Sequence, residues 1–249
     1  GTSTLQDPTY NYATFGTYNV TLTVTNSNGC TDSVTLPVVI YPAPIAEFTY
    51  DTACALSAMH FTDLSVSNYG AINSWSWTFG DGGTSSAQNP NYIYTSAGTY
   101  TVTLIIQTVG GCSDTISHDV LVNPLPGADF TASAACDGDT TFFTDLSIAN
   151  ADSLVGWYWT FGDGGTSTQQ NPYYIYLTSG TYNVTLTVTN SNGCTDDTTI
   201  AVEVYPLPLP DFTYTSDCFY NAYFTDNSQS NADSLVSWFW NFGDGVGTS

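Results

Sequence analysis

The chain contains no lysine and no arginine among its 249 residues, so every fixed side-chain charge other than a protonated histidine is negative. With 22 acidic residues the formal net charge is −22. Phosphate clamps, nucleic-acid grooves and anionic membrane patches all depend on basic side chains, and those roles are excluded. Salt bridges are excluded as well. No apolar run approaches the ~18–20 residues of a membrane span, so direct membrane insertion is not expected. Gly1-Thr2-Ser3-Thr4 is no signal peptide, and a secretion signal is expected, if anywhere, upstream. What the chain does have is apolar substance: 42% of residues are hydrophobic and 15% aromatic against 9% charged, enough for packed cores despite the charge.

The composition is arranged in repeats. Trp75-Ser76-Trp77-Thr78-Phe79-Gly80-Asp81-Gly82 returns at Trp157–Gly164 and again at Trp238–Gly245, 82 and then 81 residues on. Gly16–Asp32 and Gly180–Asp196 are identical over 17 residues. The period is one small domain. Internal alignment places complete repeats at 45–123 and 127–205, separated by the Pro-rich junctions Tyr41-Pro42-Ala43-Pro44, Asn123-Pro124-Leu125-Pro126 and Tyr205-Pro206-Leu207-Pro208, which make short, stiff linkers. Residues 1–41 match the C-terminal half of a repeat and residues 209–249 the N-terminal half. Half a sandwich exposes its inner face and its strand edges. The expectation is a window onto a longer array in which residues 209–249 of one copy meet residues 1–41 of the next; the alternative is an arbitrary cut.

Within a repeat, apolar and polar residues alternate with period two. Tyr182, Val184, Leu186 and Val188 point one way while Asn183, Thr185, Thr187 and Thr189 point the other, the mark of a half-buried strand. Tyr18 to Val24 and Tyr100 to Ile106 follow the same rule, and Trp157, Trp159 and Phe161 share one face of an earlier strand. Turn residues fall every 8–12 positions, as at Gly162-Asp163-Gly164-Gly165 and Asn190-Ser191-Asn192-Gly193. Seven short strands in about 80 residues predict an all-β fold of tandem immunoglobulin-like sandwiches, about 82 residues per repeat. Trp77, Trp159 and Trp240 are expected to fill the cores, and Tyr18, Tyr100 and Tyr182 to occupy the corner where a phenol bonds to backbone. In Phe-Gly-Asp-Gly the glycines supply positive φ and the Asp caps a hairpin, which accounts for the motif without a ligand.

Phe-Thr-Asp at 61–63, 143–145 and 224–226 is followed in order by Trp-x-Phe-Gly-Asp-Gly, Asn-Pro-x-Tyr-x-Tyr and Gly-Thr-Tyr-x-Val-Thr-Leu. This succession resembles the PKD (polycystic kidney disease) domain. The resemblance implies PKD-type β-sandwiches of cell-surface proteins, surface layers, or appendages of secreted proteases and chitinases. With the Asn-Gly-Cys turns and Pro-rich linkers, the array is most similar to giant repetitive surface adhesins of Bacteroidota.

Six cysteines in such a chain point to an oxidising compartment. Cys30, Cys112 and Cys194 follow the turn after the sixth strand, while Cys54, Cys136 and Cys218 end a first strand. These positions lie at opposite poles of an immunoglobulin-like sandwich, about 27 Å apart along a strand and beyond the ~6 Å that a disulfide spans. Cys54–Cys194 is the geometric choice within the chain, with Cys136 and Cys218 meeting Cys30 and Cys112 of neighbouring copies. Sequence neighbours such as Cys30–Cys54, or six free thiols, are the alternatives. No Cys pair or His lies at zinc-ligand spacing.

His60 takes the place of Phe142 and Tyr223, and His118 that of Ile200 and Leu36, so both read as substitutions at packing or surface positions, and no enzyme is expected. Calcium is the one cofactor to weigh, since an acidic array without cations recruits counter-ions. Some PKD-like domains bind it at a loop before the aromatic strand; the matching residues are Asn150 and Asp152, and Asn231 and Asp233, with Asn68-Tyr69-Gly70 in the other repeat. Each loop offers one acid or none. Asp followed by Ser or Thr, at Ser33, Thr52, Thr115, Thr140, Ser153, Thr198 and Ser234, resembles the O-glycosylation signature of Bacteroidota, making glycans a second class of partner. The functional expectation is an extracellular structural or adhesive module, secreted or on the cell surface, continuing or self-associating end to end as a stalk or filament. The alternative is a carbohydrate- or protein-binding appendage of a secreted enzyme, using exposed aromatics such as Trp75, Tyr92, Tyr173 or Tyr174.

Overall fold

The computed structural model describes residues 1–150 and 153–243. Those residues form strands and loops with no helix. The chain divides into two compact units, Gly1–Pro124 and Leu125–Ser249.

The first unit opens with an antiparallel hairpin of β1 (Gly16–Thr25) and β2 (Thr31–Ile40). A sandwich follows, made of β3 (Phe48–Tyr50), β4 (Ala53–Cys54), β5 (Ala58–Asp63), β6 (Ile72–Thr78), β7 (Thr84–Ser85), β8 (Asn91–Ile93), β9 (Gly98–Thr108) and β10 (Ser113–Asn123). Its sheets are ordered β3-β5-β8 and β4-β10-β9-β6-β7. The second unit repeats the plan with β11 (Phe130–Ala132), β12 (Ala135–Cys136), β13 (Thr140–Asp145), β14 (Leu154–Thr160), β15 (Thr166–Ser167), β16 (Tyr173–Ile175), β17 (Gly180–Asn190) and β18 (Thr195–Tyr205). Its sheets are β11-β13-β16 and β12-β18-β17-β14-β15, and a second hairpin, β19 (Phe212–Ser216) with β20 (Ala222–Asp226), closes the unit.

Each sandwich has eight strands where seven are expected, because the first strand breaks in two. β3 pairs antiparallel with β5 in the small sheet, and after a short bend β4 pairs parallel with β10 in the large one, Ala53 opposite Val122. The break lets one segment supply an edge strand to each sheet.

The cores follow the alternation. Val184, Leu186, Val188, Val202 and Val204 from the large sheet close on Phe130 and Phe143 of the small sheet, with Trp159 and Phe161 between them. Phe130 meets the Trp159 ring edge-on at 5.0 Å, and Phe48 meets Trp77 likewise at 5.1 Å. Edge-to-face packing suits the aromatic quadrupole, and burying large rings supplies much of the drive to fold. The corner tyrosines behave as expected: Tyr100 donates to Ser96 O at 2.9 Å and Tyr182 to Thr178 O at 2.7 Å.

Candidate functional site

The recurrent motifs resolve into local devices. At Phe79-Gly80-Asp81-Gly82 the chain turns with φ of +84° at Gly80 and +100° at Gly82, and Asp81 Oδ1 accepts from Gly83 N at 3.0 Å. Gly80 is required a second time over, since a Cβ there would lie 2.8 Å from Thr101 O. Tyr92 donates to both Asp81 carboxylate oxygens at 2.9 Å and stacks on Phe79 at 3.9 Å; burial, then Asp81, raises its phenol pKa. Asp163, Tyr174 and Phe161 repeat the arrangement.

The Asp of Phe-Thr-Asp has a role that the sequence reading missed. Asp63 Oδ2 accepts from Trp75 Nε1 at 2.7 Å and Gln88 Nε2 at 3.1 Å, while Oδ1 accepts from Ser65 N at 3.0 Å. Asp145 takes the same bonds from Trp157, Gln170 and Ser147, and Asp226 from Trp238 and Ser228. Burial pushes the Asp63 and Asp145 carboxyls up, but these donors outweigh it and hold both below the ordinary value of 3.8. The signal was present in the spacing: each Asp precedes its Trp by 12 residues.

These bonds revise the aromatic candidates. Trp75, Tyr92 and Tyr174 are committed to Asp63, Asp81 and Asp163 and serve the fold. Tyr173 alone of the four is well exposed, at 65%, and its cross-strand partner Phe142 is 61% exposed. The sister repeat carries His60 and Asn91 at that pair.

The histidines also differ from expectation. His60 Nδ1 lies 2.7 Å from Asp51 Oδ2 and His118 Nε2 lies 2.8 Å from Glu47 Oε1, so carboxylate–imidazole pairs exist where none was expected. A neutral imidazole satisfies them as hydrogen bonds and a protonated one as ion pairs, which composition alone does not distinguish.

The linkers are fastened. Asn68 Nδ2 donates to Ala43 O at 3.2 Å, Asn150 Nδ2 to Leu125 O at 3.0 Å and Asn231 Nδ2 to Leu207 O at 2.8 Å. Leu207 is also held from the other side, its N–H donating to Asp137 Oδ1 at 3.1 Å. Tyr41 stacks on Tyr69 at 4.4 Å. The Asn residues nominated for calcium thus spend their amides on linker carbonyls, with Asn150 and Asn231 at positive φ. Asp152 lies outside the described residues, and Asp233 is exposed. The described donors are far fewer than the six to eight oxygens that calcium takes. Among the described residues no three His, Cys, Asp or Glu gather as a metal cluster.

Cys54 and Cys194 are in disulfide form, and Cys30, Cys112, Cys136 and Cys218 carry free thiols. Cys112 immediately precedes β10 and Cys54 is registered with its last residue, Asn123, so the two cysteine classes sit at opposite ends of a strand, roughly 36 Å apart at 3.3 Å per residue. Of the Asp-Ser/Thr positions, Ser33, Thr52, Thr115, Ser153 and Ser234 are exposed, while Thr140 and Thr198 are half-buried.

Two apolar faces are uncovered. On the β1–β2 hairpin Val20, Leu22, Val24, Leu36 and Val38 are exposed, Leu22 by 58%. Beside β19 and β20, Phe212, Phe224, Trp238 and Phe242 are exposed and line, with Trp240 and Leu235, a groove of about 990 Å³.

A family described as PKD domain matches residues 1–40, 41–122 and 123–204. The pre-pro-metalloprotease PrtV of Vibrio cholerae is 32% identical over 165 residues, 65% of this chain and 18% of that protein. A microbial collagenase of Vibrio alginolyticus is 37% identical over 98 residues, 39% of this chain and 12% of the relative. The chain therefore spans less than a fifth of the length of these relatives. Among solved structures, the PKD1 domain of Vibrio anguillarum Epp is 32% identical with a TM-score of 0.33, covering 34% of this chain and 99% of that domain.

Proposed function

The chain belongs to the PKD domain family, and from that premise we propose that it is an extracellular structural and adhesive module, a stalk segment in which each repeat adds length. The observation that supports this most directly is the fastening of Leu207, whose N–H is held by the repeat before it and whose carbonyl by the half-repeat after it. A linker with both peptide groups engaged and prolines on either side resists bending. The proposal includes a Cys54–Cys194 staple between consecutive repeats and glycans on the exposed Asp-Ser/Thr sites, and it assigns no reaction to the chain. Small-angle scattering tests the stalk: the native chain should show a rigid rod-like profile, and the Asp137→Ala/Asn231→Ala variant a more compact and heterogeneous one. An unchanged profile in the variant would refute the fastened linker.

One observation favours the second reading, a binding appendage of a secreted enzyme. Phe142 and Tyr173 form an exposed aromatic pair on one repeat only. Titration with soluble polysaccharides and collagen peptides, followed by sedimentation, decides: binding by the native chain that Phe142→Ala/Tyr173→Ala removes would favour the appendage.

A further inference from the structure

We propose that each complete repeat carries a path for oxidising equivalents, which moves a one-electron vacancy from the buried core tryptophan to a half-buried tyrosine whose phenolic proton passes to an aspartate. In the first repeat the residues are Trp77, Tyr92 and Asp81, and in the second Trp159, Tyr174 and Asp163. Each path lies within a single repeat, so the inference is independent of whether the chain is a stalk or an appendage.

Trp77 and Trp159 are fully buried. Centroid to centroid, Trp77 lies 5.7 Å from Phe61, Phe61 lies 5.3 Å from Phe79, and Phe79 lies 3.9 Å from Tyr92. The second repeat keeps the order of rings, with Trp159 to Phe143 at 5.5 Å, Phe143 to Phe161 at 5.2 Å and Phe161 to Tyr174 at 4.1 Å. Among aromatic side chains only indole and phenol give up an electron readily. The phenylalanines therefore do not hold the vacancy themselves; they are the close-packed medium through which an electron crosses from tyrosine to tryptophan.

The proton decides where the vacancy settles. Trp77 Nε1 donates to Ala87 O at 2.9 Å and Trp159 Nε1 to Gln169 O at 2.8 Å. A peptide carbonyl is too weak a base to take the indole proton, so an oxidised core indole stays a radical cation, a strong oxidant of its neighbours. Tyr92 donates to Asp81 Oδ1 and Oδ2 at 2.9 Å, and Tyr174 to Asp163 Oδ1 and Oδ2 at 3.1 and 3.0 Å. These carboxylates can accept the proton that a phenol sheds on losing an electron. The product is a neutral tyrosyl radical, and no uncompensated charge is left in the core. The next tyrosines along, Tyr94 at 4.9 Å from Tyr92 and Tyr100 at 4.2 Å from Tyr94, bond instead to the carbonyls of Phe79 and Ser96. Burial pushes the Tyr94 phenol up, and it keeps its proton. The backbone is shaped around the phenol and its aspartate. A Cβ at Gly83 would lie 1.9 Å from Tyr92 Oη, and one at Gly165 would lie 2.2 Å from Tyr174 Oη.

The steps balance in electrons and protons. A one-electron oxidant of the medium, such as a metal complex or a small radical, takes one electron from Trp77. Tyr92 then gives one electron to Trp77 and its phenolic proton to Asp81, which restores the indole. What remains is a tyrosyl radical, a protonated Asp81 and an oxidant reduced by one electron. Ascorbate from the medium returns the electron to Tyr92 and Asp81 returns the proton, so the core tryptophan survives the encounter.

Flash excitation of indole in the 249-residue chain, with cobalt(III) hexaammine as the electron acceptor, supplies the test. The tryptophanyl signal should decay as a tyrosyl signal grows, and more slowly in deuterated solvent because a proton moves. After steady illumination, peptide mapping should find Trp77 and Trp159 largely intact. Tyr92→Phe/Tyr174→Phe should lose most of the tyrosyl signal and gain oxidation products at Trp77 and Trp159. Asp81→Asn/Asp163→Asn keeps the rings and the acceptor oxygen of the turn but offers no base, so transfer should slow at least about tenfold. That variant decides the matter if thermal unfolding shows the phenylalanine variant to be unfolded. Tyr100→Phe/Tyr182→Phe should change neither readout. Equal oxidation of Trp77 and Trp159 in native and variant chains would overturn the proposal, as would a tyrosyl signal untouched by either pair of substitutions. So would a vacancy that settles on Trp75 and Trp157, whose indoles also meet carboxylates.

Discussion

The segments Gly16–Asp32 and Gly180–Asp196 share every residue and nearly every local bond, yet Leu22 is 58% exposed and Leu186 fully buried. Both fold as hairpins in the same register, Val20 opposite Leu36 and Val184 opposite Ile200. Both turns are clamped by one asparagine, Asn26 accepting from Cys30 N and Asn190 from Cys194 N at 3.0 Å. Hairpin, register and turn are local properties, while burial belongs to whatever lies across the face. The pair therefore separates the local from the tertiary share of one strand's stability.

The largest expected effect breaks this symmetry directly. Leu186→Ala should destabilise its unit by about 3 kcal/mol, because a cavity opens in a packed core. Leu22→Ala in monomeric chain should stay within about 0.5 kcal/mol. Thermal and urea unfolding of the two variants checks both, and equal losses would mean that the first hairpin is already covered.

Next in size is the Asp–Trp tie, which both complete repeats share. Asp145→Asn removes a charge-assisted acceptor from Trp157, Gln170 and Ser147 and should cost about 2 kcal/mol at neutral pH. Because the folded carboxyl lies below its ordinary 3.8, its stabilisation is complete above that value and is lost as pH falls through the lower folded value. Melting temperature against pH should therefore fall less steeply below about pH 4 in Asp145→Asn than in the native chain. An equal acid slope would show that the tie carries no charge-dependent stability.

The cores of the two complete repeats differ at several buried positions, Ile106 against Val188 and Thr108 against Asn190 among them. Met59 in the first is Thr141 in the second, whose hydroxyl is buried without a hydrogen-bond partner. Thr141→Val should raise stability by about 1 kcal/mol, and calorimetry of the second unit would detect it. Smallest of all should be the difference between calcium and magnesium. An acidic surface with scattered carboxylates attracts divalent ions through its overall field, so equal concentrations should raise the melting temperature alike. A calcium-specific rise would reinstate the Asn150, Asp152, Asn231 and Asp233 loops as sites.

Much of this molecule is legible without coordinates, and the reasons can be traced to particular residues. Period-two alternation at Tyr182–Val188 reports a strand with one covered face, since side chains alternate across a sheet. Gly80, Asp81 and Gly82 report a hairpin because only certain residues tolerate that backbone path. The bend that splits the first strand left no comparable mark, since it exists to satisfy two sheets at once. His60 with Asp51 and His118 with Glu47 were also hidden, the second being 71 residues apart in the chain. The Asp–Trp tie was readable from its constant 12-residue spacing, but only for a reader who already asks what a half-buried carboxylate must bond to.

By itself the order of residues determined the repeats, the strands, their turns and the sign of every fixed charge, because these depend on neighbours a few positions away. Tertiary structure alone decided which of two identical strands is a core strand, which aromatics are committed to carboxylates, and which thiols remain free. The physical reason is that burial and disulfide formation are properties of surfaces brought face to face, and no segment carries its partner's surface within itself.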